Sequence, residues 1–451
     1  MPQNETLDLD GPRITLASNP EYATKQFSIP DPQSYPQHFP LITLTPGVAA
    51  SRDNLSLSVS APIFREHEVV WVELDAPIRS AGDPRIALSH WPGLIVTRRR
   101  DSCTEGGAER HMVKLFCSPM KQLFGVHKLL PYRGYLPTKS LKTLLEQTRF
   151  SEQPDIDRIR GFRPFSSNSG EKRRPHTLED ALTPFTWATY TVLYMNAFFM
   201  PIRRTRSSDS SPFSSGQMGS FYEALWWGPE KILLGDMLRM KPAIGDYPAS
   251  VASTLDQSPD GAHDLPRPTF CRIRSIHSNS QAPDSFHCTI SGTLYETVPD
   301  ANPLPLHRSM THDPLSYASM TEHCTEVPDS HRQSYGLPKP PPTKKWKRLT
   351  PVGQEISCSA DLIAGRYYST ILSHPLVRID ANENKIKNYL LSSSENALPS
   401  EEMESRALYL SLAGLERGWM GTMFHSRLPL DTMSAIIEAA EQLAERHLHP
   451  R

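Results

Sequence analysis

Histidine and cysteine are the residues of this chain whose spacing could first indicate metal binding or nucleophilic catalysis. The sequence holds 17 histidines and six cysteines, and no two cysteines form a CxxC pair. His312 with His323 and Cys324, or His447 with His449, could bind a metal ion, but solvated histidines in a loop and at a helix end are the favoured interpretation. We therefore expect no metal site, no disulfide framework and a reducing compartment.

Motifs that perform catalysis are missing from the sequence. There is no GxSxG nucleophile elbow, no GxxxxGK[ST] phosphate loop, no GxGxxG turn and no HExxH helix. Asp380, Asp431 and the glutamates at 401, 402 and 404 form no evident pair of acid and base. We expect no catalytic residue, no cofactor and no enzymatic activity, and the alternative is an active site assembled from distant residues.

Tryptophans provide the first candidate binding surface. Trp71 and Trp91 lie close in sequence on two predicted strands, and Trp226 is followed directly by Trp227. Aromatic rings at the mouth of a small barrel can bind an alkylammonium group, but burial in the barrel core is the favoured alternative for the first pair. Neighbouring strand residues face opposite sides, so we expect one member of the second pair to be buried and the other to be offered to a partner.

Clusters of basic residues provide the second candidate surface. They interrupt a chain whose 48 Lys and Arg against 49 Asp and Glu give a net charge of -1, so contact with a polyanion must be local. Solvated loops are one interpretation; the other is contact with nucleic-acid phosphates, or nuclear import in the case of KKWKR at 344–348, where Trp346 could stack on a base. The clusters are Arg98, Arg99 and Arg100; Lys172 to Arg174; Arg203, Arg204 and Arg206; and Lys344, Lys345, Lys347 and Arg348.

Length and composition indicate folded modules that carry long insertions. The chain has 451 residues, which favours two or three domains at about 150 residues each. Its 42 prolines are about 9% of the residues against a usual share of about 5%, and its apolar share of 38% is low. The most apolar stretch, residues 185–200, is shorter than the roughly 18 residues that a membrane span needs, so we expect no membrane partner.

Short β-strands dominate the predicted elements. Alternating or β-branched runs predict strands at 68–74, 90–96 and 110–117, followed by a helix at 138–150 with Thr138 as its N-cap. Further strand candidates lie within 221–241, at 269–276 and at 286–296; a returning strand is predicted at 362–371, and residues 299–349 are predicted to be loop. The tail has two short alternating pieces, 41–45 and 55–59, and one strand added to a neighbour is expected there. Helices are predicted at 177–200, with a break at Pro184, at 401–415, and at 430–448 with Asp431 as the cap.

These elements predict a mixed α+β, β-rich fold. It consists of a small SH3-like or barrel-like N-terminal module, a second β module with long loops, and C-terminal helices. The predicted domains are an extended or disordered tail (1–60), the N-terminal module (61–150), a basic linker with the apolar helix (151–215), the second module with its proline-rich insertions (216–380) and a C-terminal helical extension (381–451).

Seven segments occur along the chain in this order: EVVWVELD, HWPGLIV, LLPYRGYLP, FYEALWWGPEKILLGDMLRMK, TISGTLYE, GRYYSTILSHPL and LSLAGLERGW. Taken together, they resemble the fungal cryptic loci regulator family, the transcription-silencing subunit of a heterochromatin complex. The resemblance implies that the second module is like a bromo-adjacent homology (BAH) domain, and that a methyl-CpG-binding-like region lies before it.

The resemblance also implies a function. The family belongs to the SHREC complex, with histone deacetylase and chromatin-remodeller subunits as partners, and acts largely as a scaffold. We therefore expect a nuclear, heterochromatin-associated scaffold without enzymatic activity that contacts DNA or nucleosomes weakly through its basic loops. The alternative is a direct reader of a modified histone tail or of DNA, in which Trp71, Trp91 or Trp227 contributes to a cage.

Overall fold

The computed structural model describes twelve stretches of the chain, all within one folded unit, Pro40–Arg451. They are residues 43–46, 64–100, 109–151, 153–165, 176–203, 219–241, 268–279, 287–299, 337–341, 344–377, 408–414 and 428–449.

Strands make up most of the regular structure. In chain order they are β1 (Thr43–Pro46), β2 (Val69–Arg79), β3 (Ala87–Arg100), β4 (Glu109–Leu115), β5 (Lys121–Gly125), β6 (Leu129–Pro131), β7 (Phe198–Arg203), β8 (Gly219–Trp227), β9 (Glu230–Leu233), β10 (Met237–Met240), β11 (Thr269–Asn279), β12 (His287–Pro299), β13 (Lys344–Arg348), β14 (Gln354–Ser359), β15 (Ile363–Arg366) and β16 (Leu428–Pro429). The helices are α1 (Lys139–Gln147), α2 (Ile156–Arg160), α3 (Leu178–Met195) and α4 (Met433–Leu448), with a shorter helical stretch at 408–412.

The small sheet is antiparallel and has the order β5-β4-β3-β2-β6. The strand predicted at 90–96 is longer in the structure: β3 begins at Ala87, so Trp91, Pro92 and Gly93 lie in its interior. Pro92 has no N–H to donate, but its carbonyl accepts the N–H of Phe116 at 3.1 Å. The central strand therefore tolerates a proline.

The large sheet follows the path β1-β14-β12-β11-β8-β7-β16, with β9, β10, β13 and β15 paired beside this path. Its pairs are antiparallel except for β7 with β16. The tail contributes β1, which pairs with β14 and places Leu44 opposite Ile356. This pairing confirms the expectation that one tail strand is added to a neighbour. In contrast, Lys344–Arg348, expected as loop, forms β13 along β12.

The helices begin mostly where their capping residues predict. Thr138 caps α1 by accepting the N–H of Leu141, and Thr177 forms a capping box with Asp180 at the start of α3. Pro184 lies inside α3 instead of ending it, because the helix is packed into the core on most sides and this burial offsets the lost hydrogen bond.

The last helix, α4, packs against α3. Its cap is Thr432, which accepts the N–H of Ala435 at 3.0 Å, one residue after the predicted Asp431. The backbone N–H of Phe150 also donates to the carbonyl of Leu448 at 2.7 Å. The end of the chain therefore returns to the core of the small sheet, which includes Ile436 and Ala440.

The prediction of a mixed α+β, β-rich chain with a small N-terminal β module and C-terminal helices is confirmed. One hydrophobic core joins the small sheet, the helices and the near face of the large sheet, and a second core covers the opposite face of the large sheet. In the described part of the chain, no helix combines the length and the hydropathy needed to cross a membrane.

Close contact between β3 and β4 gives a first test of the fold. A Cβ added at Gly93 would lie 2.5 Å from Val113 Cγ1 and 3.2 Å from the carbonyl oxygen of Lys114. We expect Gly93→Ala to lower the free energy of unfolding by about 1–3 kcal/mol, because the two strands must separate. Chemical denaturation measures this loss.

The control is Gly82→Ala, in the exposed loop after β2, where the nearest atom to the added Cβ is Ser80 Oγ at 3.8 Å. It should stay within about 0.5 kcal/mol of the original protein. Equal unfolding midpoints for the two variants would contradict the close packing of β3 on β4.

Candidate functional site

Charged side chains are buried where the segment entering the small sheet meets the large sheet. Arg65 and Glu68 precede β2, Asp236 lies in the turn between β9 and β10, and Arg366 ends β15. These four side chains are 4 to 13% exposed. We call this group, with its neighbours Arg133, Glu230, Arg239 and Tyr368, the ionic junction.

Arg65 and Asp236 form the first pair of the ionic junction. Both terminal nitrogens of Arg65 bind the two carboxylate oxygens of Asp236, each at 2.6 Å. Arg65 Nη1 also donates to the carbonyl of Lys231 at 2.7 Å, and Asp236 Oδ2 accepts the N–H of Leu233 at 2.7 Å. Two parallel charge-assisted bonds hold the segment before β2 in one orientation against the turn.

Glu68 and Arg366 form the second pair, with Arg366 Nη1 at 2.8 Å from Glu68 Oε1. The carboxylate of Glu68 also accepts the N–H groups of Arg65 at 2.9 Å and Lys231 at 3.0 Å. Burial raises the pKa of Glu68, an effect opposed by the charges of Arg366 and Arg65. Burial would lower the pKa of Arg366, but the combined attraction of Glu68, Tyr368, Asp236 and Glu230 outweighs it, and the pKa is raised.

A second layer lies behind these pairs. The hydroxyl of Tyr368 donates to Glu230 Oε1 at 2.8 Å, and Arg133 Nε lies 3.5 Å from Glu230 Oε2. Arg239 Nε donates to the carbonyl of Arg366 at 2.9 Å. Burial, together with the nearby charge of Arg133, lowers the pKa of Arg239 to about 10. Burial also raises the pKa of the Tyr368 phenol. Both groups therefore keep their usual charge at neutral pH.

Gly365 makes room for this second layer. Its φ is +145°, a value that side chains rarely allow, and an added Cβ would lie 2.7 Å from Arg239 Nη2 and 3.0 Å from Glu230 Oε2. The Gly-Arg dipeptide of β15 therefore serves two purposes: the glycine admits the guanidinium of Arg239, and Arg366 binds Glu68.

The ionic junction is suited to holding elements together and not to catalysis. Its carboxylates accept bonds from arginines, backbone N–H groups or Tyr368, so their charges are compensated in place. Among the described residues, no group of three or more His, Cys, Asp or Glu side chains is placed to bind a metal ion. Buried ion pairs of this kind penalise any other arrangement of the elements that carry them, because misplacement leaves a charge buried without a partner.

Residues 221–369 match the family model described as Clr2, transcription-silencing protein Clr2. We call this matched segment the Clr2 region. It contributes Glu230, Asp236, Arg239, Arg366 and Tyr368 to the ionic junction, whereas Arg65, Glu68 and Arg133 lie outside it. The family resemblance expected from the sequence is thereby confirmed. Two of the segments that carry the resemblance, FYEALWWGPEKILLGDMLRMK and GRYYSTILSHPL, include five of the eight members of the junction.

A solved structure described as "Structure of Clr2 bound to the Clr1 C-terminus" is similar to this chain at 8% sequence identity and a TM-score of 0.39. The similarity covers 85% of this chain and 60% of the other, so the chain spans about 60% of the length of that protein. No curated protein matches the chain.

Trp71 and Trp91 belong to the core of the small sheet, with exposed fractions of 4% and 0%. The indole N–H of Trp71 donates to the carbonyl of Tyr132 at 2.6 Å, and that of Trp91 to the carbonyl of Phe116 at 2.9 Å. The core alternative therefore describes both residues. The structure does not present either ring to a histone tail, because both faces of the sheet near them are packed.

Trp226 and Trp227 face opposite sides of β8, as the strand pattern predicts, but the expectation that one of them is offered outward is wrong. Both are 2% exposed. Trp226 packs in the core shared with the small sheet, and Trp227 packs in the core on the other face. The physical reason is that the large sheet is covered on both sides at this point.

The basic clusters are placed unequally. Arg98 is half-buried and donates to Glu109 at 2.8 Å, Arg99 is exposed, and Arg100 ends β3. Arg203 ends β7. Outside the described residues lie Arg204, Arg206, Lys172 to Arg174, His312, His323 and Cys324.

Lys344, Lys345, Trp346, Lys347 and Arg348 form β13. Trp346 is 3% exposed, so the expected stacking on a base is wrong for this conformation. Lys347 Nζ lies 2.7 Å from Glu296 Oε1, and Arg348 Nε donates to the carbonyl of Thr350 at 2.8 Å. Glu296 and the carbonyl of Thr350 therefore compensate part of the positive charge of this cluster.

The members of the ionic junction were not predicted as site residues. A signal for them exists in the sequence, since Asp236 and Arg366 are charged residues inside otherwise apolar motifs, each directly after a glycine. A charge in such a position indicates a buried partner, but Arg65 and Glu68 are about 170 and 300 residues away from theirs.

The pair Glu68 and Arg366 gives a second test. We expect Arg366→Met to lower the free energy of unfolding by about 3–5 kcal/mol, because Glu68 is left buried without its main opposite charge. Adding Glu68→Gln should recover part of that loss, since the amide keeps an acceptor and removes the charge. Denaturant unfolding of the single and double variants measures both effects.

The matched control is Arg85→Met, because Arg85 pairs with Asp83 in an exposed loop and is 90% exposed. It should leave the unfolding midpoint unchanged. If the losses of Glu68→Gln and Arg366→Met simply added, the two side chains would not interact as the structure places them.

Proposed function

We propose that this protein is a non-enzymatic scaffold subunit of a nuclear transcriptional-silencing complex. In this proposal the Clr2 region and the N-terminal β module act as one rigid body that holds partner proteins in a fixed arrangement. The observation that carries it is the ionic junction, where the motif residues of a silencing family bind side chains that lie outside the Clr2 region.

The junction supports a scaffold because it fixes orientation. Two domains that touch through a wet, polar surface move relative to each other by default. Here Arg65 and Glu68 are bound to Asp236 and Arg366 by buried ion pairs, and the surrounding core is continuous. Surfaces on the two modules are therefore held at a constant distance, which is what bridging between two subunits needs.

The partners that we propose are the histone deacetylase and chromatin-remodeller subunits of a SHREC-type heterochromatin complex. The family resemblance supports them, and the description of the matched family names silencing and no catalytic activity. Weak contact with DNA or nucleosomes is a further part of the proposal. Exposed Arg99 and the basic residues of the linkers would provide it, with affinity that falls steeply with salt.

Affinity purification of the tagged full-length chain from nuclear extract tests this function. We expect quantitative mass spectrometry to recover deacetylase and remodeller subunits with the original protein and with the control Arg85→Met. Arg366→Met should recover each of them at least several-fold less, because the rigid arrangement of the two modules is lost.

Recovery of the original protein as a free monomer at its natural level would count against the proposal. Unchanged recovery with Arg366→Met, despite a measured loss of stability, would show that the junction does not arrange the partner surfaces.

A further inference from the structure

Four aromatic rings form a cluster of their own on the Clr2 region, separate from the two larger cores. They are Phe270 from β11, Tyr295 from β12, Trp346 from β13 and Tyr367 just after β15. The ring of Trp346 lies 4.9 Å from Phe270 and 5.5 Å from Tyr367, at 76° and 81° to their planes. We call this group the aromatic platform.

A proline-rich stretch of the same chain, Leu-Pro-Lys-Pro-Pro at 337–341, lies on the aromatic platform. Leu337 is 1% exposed and packs among the rings, whereas Lys339 points to solvent. The indole N–H of Trp346 donates to the carbonyl of Pro338, and the hydroxyl of Tyr367 donates to the carbonyl of Lys339, both at 2.8 Å.

These contacts match the chemistry of a polyproline segment. Three of the five residues are prolines, which have no backbone N–H and a fixed φ, so the segment presents carbonyls and lacks most donors. A polyproline II helix has no internal hydrogen bonds, and its recognition sites combine flat aromatic surfaces with donors to its carbonyls. The platform has both, and Pro338 with Pro341 gives the PxxP spacing that such sites read.

We propose that the aromatic platform is a polyproline-binding groove, that residues 337–341 are its ligand in cis, and that a proline-rich segment of a partner protein binds there by displacing them. The side-chain donors bind backbone carbonyls, which any polyproline II segment presents. A covalent tether gives the cis segment an effective concentration of the order of millimolar, so a partner segment binds weakly until the cis segment leaves.

The experiment titrates the full-length protein with a fluorescent peptide of residues 336–343, GLPKPPPT. The original protein should bind it weakly. The variant Leu337→Asp with Pro341→Ala removes the buried anchor of the cis segment and should bind the peptide at least ten-fold more tightly. A peptide in which the prolines are replaced by alanine should bind at least ten-fold more weakly to the same variant.

Trp346→Phe in the released variant keeps a ring and removes the indole donor, so the gain in affinity should be lost. Tyr295→Phe is the matched control, because its hydroxyl is not one of the two donors to the segment, and it should keep the gain. If the double variant does not fold, the milder single variant Pro338→Ala replaces it in the same titration.

A released, folded variant that binds no peptide, or that binds the proline and alanine peptides equally, would overturn the groove. The titration measures a peptide affinity that does not depend on the silencing role. Its failure is therefore distinguishable from failure of the purification experiment, in which subunits are recovered from nuclear extract.

Discussion

The buried contact between Glu68 and Arg366 is the constraint on which the arrangement of the two sheets depends. A carboxylate and a guanidinium removed from water are costly unless each meets the other in good geometry with its remaining hydrogen bonds satisfied. Glu68 meets Arg366 at 2.8 Å and also accepts two backbone N–H groups. The segment before β2 therefore has one acceptable position against the Clr2 region, and the small sheet that follows it is placed accordingly.

The hydrophobic core adds stability to a position that the charges specify. Trp226 of the Clr2 region packs in the same core as the small sheet, and α4 near the chain end closes that core against α3. Apolar packing tolerates several arrangements of similar energy, because it is not directional. The ion pairs of Arg65 and Glu68 are directional. Burial of apolar side chains therefore provides stability, whereas the ion pairs fix the relative position of the elements that carry them.

Extended segments of the chain complete the Clr2 region. The tail supplies β1, whose Leu44 packs against the core of the outer face, and residues 337–341 cover the aromatic platform. Both are short, with four residues in β1 and five in the segment 337–341. The edge of β14 and the rings of the aromatic platform are therefore covered by segments of the same chain.

Local features were available from the sequence because their causes lie within a few residues. Thr138 and Thr177 cap helices by accepting the N–H groups of residues three positions later in the chain. The β-branched run in β2 favours a strand through its own residue types. The mixed, β-rich class follows from these elements, and the motif set that includes WWGPEKILLGD resembles the silencing family whose model matches residues 221–369.

Tertiary structure alone decided which faces are covered. The strand period places Trp226 and Trp227 on opposite faces, yet only the packing of both faces shows that neither ring reaches solvent. The sequence predicts a charged loop at residues 344–348, whereas in the structure these residues form β13 because they pair with β12. Glu68 and Arg366 are separated by about 300 residues. A local sequence pattern cannot predict their contact, because the two side chains meet only when the whole chain has folded.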